Sequence, residues 1–218
     1  MTRDHCLEEI IAGLLPTGAV VRAGPIAPAG ALPPAEAALI ERAVEARRAE
    51  FASARTLARA ALAALGRPVA ALGASHDAGP AWPDDVTGSL THADGVAAVA
   101  VAYRHTIGAI GIDIEGPRTL DAPVWPSVFT ASERAKLIDE RDAVRLFSAK
   151  EAAYKCLAGL GQATTEFLDF ELIAAADIYR LRFVAVTRHS ENIVVRSRVQ
   201  GERIVCVAYA HSPAGQPA

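Results

Sequence analysis

Lysine is almost missing from this chain of 218 residues: of 22 basic residues only Lys136, Lys150 and Lys155 are lysine. In so alanine-rich a sequence arginine has taken over wherever a generic cation serves, which singles out Lys150 and Lys155, five residues apart. Cysteine is scarce too. Cys6, Cys156 and Cys206 are odd in number and widely spaced, with no metal-ligand or redox-pair pattern; this fits a reducing cytoplasm and reads as small buried filler. The net charge of −3 excludes the basic field that non-specific nucleic-acid binders need, while leaving room for a local positive pocket. Long apolar runs are absent, because charges and prolines recur too often for a membrane span. The first residues fail as a secretory signal: Asp4, Glu8 and Glu9 interrupt them, and the apolar run 10–15 is short and contains Gly13. A cytoplasmic monomer with no nucleic-acid partner is expected.

What is present is an ordinary globular composition, 51% hydrophobic and 22% charged, enough for one large domain or two small ones. Leu7, Ile10, Ile11, Leu14 and Leu15 have helical spacing and stop before Pro16. Residues 24–34 read as a loop, and a long alanine-rich helix is predicted from Glu36 to Gly66, with Pro68 beyond it. Residues 73–88 read as a second loop. Strands are predicted over 96–103 and 107–115, joined by the turn Arg104-His105-Thr106. Thr130 and Glu133 form a capping box, and a helix over 142–158 stops at Gly159 and Gly161. Four further strands are predicted over 167–173, 179–187, 193–199 and 203–210, the last two as a hairpin around Gly201, followed by a loose tail from His211. Helix followed by strands occurs twice, which points to two α+β halves.

The chemistry-bearing residues fall in four places. In Gly111-Ile112-Asp113-Ile114-Glu115 the alternation sends the isoleucines to the core and both carboxylates to the opposite face, roughly 6–7 Å apart. Such a pair suits a hard divalent cation, or is simply the solvated acidic face of an edge strand. In Phe147-Ser148-Ala149-Lys150-Glu151-Ala152-Ala153-Tyr154-Lys155, Glu151 lies inside an apolar helical stripe with Val144, Phe147, Tyr154 and Ala158, where an unpaired charge is costly. The plainer alternative is a surface Glu151–Lys155 pair. On the long helix, Arg47 and Arg55 flank Phe51 in the stripe of Ile40, Val44, Ala58, Leu62 and Leu65. A guanidinium there wants an anion such as phosphate, unless a kink or an internal carboxylate satisfies it. Arg42, Arg48 and Arg59 fall on the outer face and read as solvated. In Gly88-Ser89-Leu90-Thr91-His92, hydroxyls, imidazole and loop amides would cradle an anion, although a lone loop histidine is commonly incidental. His5, His76, His105, His189 and His211 lie in no pattern.

Taken in order, these segments, with Trp82-Pro83 between them, resemble the Sfp-type 4′-phosphopantetheinyl transferases, most closely the enterobactin-synthase-component-D-like branch. The resemblance covers roughly residues 40–160; each motif alone is weak and the ordered set is specific. It implies two similar α+β halves in a pseudo-twofold arrangement, 1–111 and 112–218, forming one two-lobed unit with coenzyme A in the cleft between them. It implies transfer of the 4′-phosphopantetheine arm of coenzyme A to a serine of an apo acyl or peptidyl carrier protein. Asp113, Glu115 and Glu151 would hold Mg²⁺, Thr91 and His92 would contact phosphate groups, and Lys150 and Lys155 the pyrophosphate. Arg47 and Arg55 would take the nucleotide end with its 3′-phosphate. Many relatives carry a basic residue in the loop before the Trp-Pro pair, whereas 72–77 here offers only His76.

Charge builds on non-bridging oxygens and on the leaving 3′,5′-ADP as the serine attacks, and Mg²⁺ with the lysines would offset it. Glu151 or a metal-bound water would take the serine proton, and Lys155 would neutralise the leaving phosphate. Two other classes use similar residues: a Mg²⁺-dependent nuclease or phosphohydrolase, and a non-catalytic module binding coenzyme A. The acidic net charge and absence of a basic stripe with aromatics count against the first, and the complete Asp113, Glu115, Glu151 set against the second.

Overall fold

The two apolar runs at the middle of the sequence become strands of two different antiparallel sheets in the computed structural model, which describes residues 2–75, 79–162, 165–175, 178–184 and 192–212. In chain order the elements are α1 (His5–Leu14), β1 (Val20–Pro25), α2 (Pro34–Ala37), α3 (Glu45–Ala64), β2 (Val86–Ala93), β3 (Val96–Tyr103) and β4 (Ile107–Glu115). There follow α4 (Trp125–Val128), α5 (Ala131–Arg134), α6 (Glu140–Gly159), β5 (Phe170–Ala175), β6 (Ile178–Phe183), β7 (Ile193–Gln200) and β8 (Arg203–His211). One sheet has the order β1-β3-β2 and the other β4-β8-β7-β6-β5. His76, His189, the end of the strand expected to reach 187 and the tail beyond Ser212 lie outside the described residues.

The fold is α+β, with one long helix on each sheet. Leu57, Ala58, Ala61 and Leu62 of α3 pack on Val99 and Val101 of the three-stranded sheet. Ala149, Ala152, Cys156 and Leu157 of α6 pack on Leu172, Val195 and Cys206 of the five-stranded sheet. Between the sheets, Ala98, Ala100 and Ala102 meet Ile110, Ile112, Ile114, Val205 and Val207, with Leu7 and Ile11 of α1 closing that layer. The small residues of β3 let the sheets approach closely, and burial of this aliphatic layer is the main force joining the halves. Strand β4 runs through the 111/112 boundary expected between halves and pairs along its length with β8.

Several local signals act as expected. Gly66 and Gly201 adopt φ of +84° and +61°, ending α3 and turning the β7–β8 hairpin. The Thr130–Glu133 capping box forms in both directions at 2.9 and 3.2 Å. Three expectations are corrected. The helix predicted from Glu36 breaks at 41–44, where Arg48 donates to the Glu41 and Ala43 carbonyls and so stands in for lost helical bonds. Gly88 to His92 is strand rather than loop: Trp82 and Val101 occupy the space a side chain at Gly88 would need, so glycine is compatible with a continuous strand there. Residues 20–25 form β1, which pairs with β3 although Gly24 and Pro25 signal a loop. Pairing to a buried neighbour outweighs those local preferences.

Candidate functional site

The site begins at a glycine. A Cβ at Gly111 would overlap the Ala152 carbonyl and the Cys156 amide, so only glycine lets α6 lie directly against β4. That contact sets the neighbours of the next odd-numbered residues on the same strand face, Asp113 and Glu115. Both are buried, at 6% and 8% exposure, so the face is not a solvated acidic edge.

Asp113 is held by three side chains from two elements. Lys155 Nζ of α6 lies 2.8 Å from its Oδ1 and 3.1 Å from the Ile112 carbonyl. Thr91 of β2 donates to the same oxygen at 3.2 Å, and Ser148 of α6 donates to Oδ2 at 2.9 Å. Ser89 accepts the Ile112 amide at 3.0 Å and ties β2 to β4 beside the acid. Glu115 pairs with Arg118, whose guanidinium lies 5.1 Å over the Phe147 ring. Burial, and then the charge of Asp113, push the Glu115 carboxyl up to about 7 despite Arg118. Glu151 is half-buried, 4.0 Å from Lys155, and burial raises its carboxyl as well.

Lys150 does not join this group. Its ammonium is fully buried on another side of α6, donating to Glu133 at 2.7 Å and to the Phe170 carbonyl at 2.9 Å, and lying 4.8 Å from the Phe170 ring centre. Glu133 also accepts the Leu172 amide, so Lys150 fastens α5 and β5 to α6. Five residues along a helix turn a side chain by about 140°, so neighbouring lysines face different elements.

The arginines of α3 separate too. Because the helix breaks before Glu45, Ile40 and Val44 are not part of its stripe and Arg47 is exposed. Its NH1 lies 2.9 Å from His92 Nε2 and 3.2 Å from Glu50. Since a guanidinium can only donate, Nε2 accepts and the ring proton sits on Nδ1, in keeping with the downward shift that burial gives this imidazole. Arg55 is buried against the Phe51 ring, and its NH1 has no partner among the described residues. Its charged neighbours are Glu36 and Arg59. Arg59, expected to be solvated, instead pairs with the fully buried Glu36.

A cleft of about 610 Å³ opens between the halves, walled by Glu151, Tyr154 and Lys155 on one side and Trp82 and Leu90 on the other, with Ser75 and Arg104 also lining it. A cleft of about 670 Å³ beyond Arg118 includes neither Glu151 nor Lys155, so the first cleft is the candidate site. Among the described residues no three His, Cys, Asp or Glu side chains form a ready-made metal cage. Asp113 and Glu115 nevertheless fit a hard cation: two buried carboxylates on one strand face, where burial and then their mutual repulsion disfavour ionising Glu115 without a cation. Ser148 stood inside a quoted motif without a role, and Arg118 carried no sequence signal. Both are set by tertiary contact.

Two family models match the chain: the 4′-phosphopantetheinyl transferase N-terminal domain over residues 35–102 and the 4′-phosphopantetheinyl transferase superfamily over 109–208. The 4′-phosphopantetheinyl transferase Svp of Streptomyces mobaraensis is 39% identical over 179 residues, 77% of this chain and 73% of its own. The 4′-phosphopantetheinyl transferase Npt of Nocardia iowensis is 45% identical over 142 residues, and this chain spans 63% of its length, as it is itself 63% covered. Enterobactin synthase component D of Escherichia coli K12 is 32% identical over 139 residues, 61% of this chain and 62% of its own.

Proposed function

We propose that this chain, which belongs to the 4′-phosphopantetheinyl transferase superfamily, moves the 4′-phosphopantetheine arm of coenzyme A onto a serine of an apo acyl or peptidyl carrier protein and releases 3′,5′-ADP. The carrier would serve siderophore, nonribosomal-peptide, polyketide or fatty-acid synthesis, and the enzyme would work as a cytoplasmic monomer. No helix among the described residues is long and apolar enough to cross a membrane. The observation that carries the reading is Asp113, buried beside the cleft and gripped by Lys155 at 2.8 Å.

Asp113 and Glu115, with Glu151, would hold Mg²⁺, which would offset charge on the pyrophosphate oxygens. The serine oxygen attacks the β-phosphorus, and the bond from that phosphorus to the bridging oxygen of 3′,5′-ADP breaks. Glu151, half-buried 4.0 Å from Lys155, takes the serine proton. Lys155, now spent on Asp113, would turn to the pyrophosphate and neutralise the leaving phosphate. Thr91 orients Asp113, while Arg47 with His92, and Arg55 with its spare donor, would take the phosphates of the nucleotide end.

The test is incubation with coenzyme A, Mg²⁺ and a panel of apo carriers, followed by intact mass. The expected result is a carrier heavier by one phosphopantetheine arm, lost on omission of Mg²⁺ and in Asp113→Ala. No mass gain on any carrier, or a gain indifferent to Asp113, sinks the reading.

A further inference from the structure

We propose that Ser89 donates a hydrogen bond to the phosphate that carries the pantetheine arm of coenzyme A, and so holds the group being transferred. The inference rests on the transferase reading and adds to it a residue to which the resemblance assigns no role. Ser89 and Thr91, two residues apart on β2, both face β4. Strand β4 is the edge of its sheet, and Ile112 turns both its main-chain groups away from β8. The Ile112 amide donates to Ser89 Oγ at 3.0 Å, and its carbonyl accepts from Lys155 Nζ at 3.1 Å. Hydroxyl and ammonium therefore lie side by side, and both line the cleft that Glu151 also lines.

Ser89 is buried, at 6% exposure. Accepting the Ile112 amide uses a lone pair of Oγ and aims the hydroxyl proton elsewhere. Among the described residues that proton meets no acceptor. A buried donor left unpaired is costly, so one that borders a cleft is suited to an oxygen entering it. Direction along the strand decides which oxygen. His92, held to Arg47, stands beyond Thr91, and Ser89 lies about 6–7 Å back from Thr91 along β2. With the nucleotide phosphates at His92 and the pyrophosphate at Lys155, Ser89 falls on the pantetheine side. Its partner is a non-bridging oxygen of the transferred phosphate, where charge builds as the serine attacks. A bare tie between β2 and β4 would use only the lone pair of Oγ and would leave the proton idle.

The experiment is calorimetry on the whole chain and its Ser89→Ala and Ser89→Thr variants, with coenzyme A, adenosine 3′-phosphate 5′-diphosphate and 3′,5′-ADP, alongside single-turnover transfer and thermal melts. The first two ligands carry the phosphate in question, and 3′,5′-ADP lacks it. Ser89→Ala is expected to weaken both of the first two about tenfold or more, while 3′,5′-ADP stays within twofold of wild type. Transfer should slow further, about 100-fold, because the contact strengthens as charge builds. Ser89→Thr keeps the hydroxyl and should recover most of the loss. Should Ser89→Ala not fold, Ser89→Cys takes its place with the same expected outcomes, since a thiol donates only weakly. Equal losses for all three ligands, or no loss for any, would overturn the proposal and leave Ser89 a tie between strands. A loss confined to coenzyme A would overturn it too, by placing the contact on the arm. A wild-type chain that binds no coenzyme A would sink the transferase reading itself.

Discussion

Lys155 Nζ lies 2.8 Å from Asp113 Oδ1, while Lys150, on the same helix, is tied to Glu133 at 2.7 Å and never reaches the cleft. The two lysines should therefore fail differently. Lys155→Ala is expected to weaken coenzyme A about tenfold or more and to slow transfer. Lys150→Met strands a buried Glu133 charge and should cost about 3 kcal/mol in urea denaturation, with coenzyme A affinity unchanged. Glu151→Gln should abolish single-turnover transfer with little change in melting. Wild-type transfer in both Lys155→Ala and Glu151→Gln would reduce the motif to a helix surface.

Ser148 Oγ is fully buried and, among the described residues, is the side-chain donor to Asp113 Oδ2, at 2.9 Å. Removing it frees the carboxylate to rotate. In Ser148→Ala the Mg²⁺ concentration needed for half-maximal transfer should rise about 10- to 100-fold, with partial rescue in Ser148→Thr. Unchanged Mg²⁺ dependence in a folded Ser148→Ala would show that Thr91 and Lys155 suffice.

Glu115 sets a pH slope on metal-free stability. Its carboxyl is raised from the ordinary 4.5 to about 7, so its ionisation opposes folding. The stability it leaves intact is fully present below 4.5 and is lost as pH rises through about 7. Between pH 5 and 8, with chelator present, wild type should lose about 2–3 kcal/mol relative to Glu115→Gln. Parallel curves for the two proteins would mean that burial does not strain this carboxylate.

Arg47 and Arg55 are predicted to bind phosphate from different settings, one exposed beside His92 and one buried with a spare donor. Replacing either by alanine should cost about 1.5–3 kcal/mol in coenzyme A binding, and less with 3′-dephospho-coenzyme A. Equal losses for both ligands point to a structural role.

Thiol chemistry gives an independent check on the packing. Cys6 is exposed, Cys156 and Cys206 are buried, and burial pushes the Cys206 thiol up to about 12. At pH 8 the native chain should react rapidly at Cys6 alone and at all three thiols in denaturant. Fast labelling of Cys206 in the native state would contradict the packing of β8 under α6.

Alternation along β4 places Asp113 and Glu115 on one face whatever surrounds them, because pleating is a local property of a strand. The capping box, the turn glycines and the ordered motifs were legible for the same reason, each being decided within a few residues. Burial of the acidic face was not, since it depends on α6 arriving over Gly111. Nor was the parting of Lys150 from Lys155, because a helix displays every side chain and only its neighbours decide which one meets an acid. The break at 41–44 moved Arg47 out of a stripe drawn through Ile40 and Val44, and pairing with β3 made strands of segments whose glycines and prolines signalled loops. Residue types and their order thus determined the family and the candidate reacting groups, while the long-range contact of α6 with β4 decided which of those candidates lie together, because partner choice depends on packing between elements far apart in the chain.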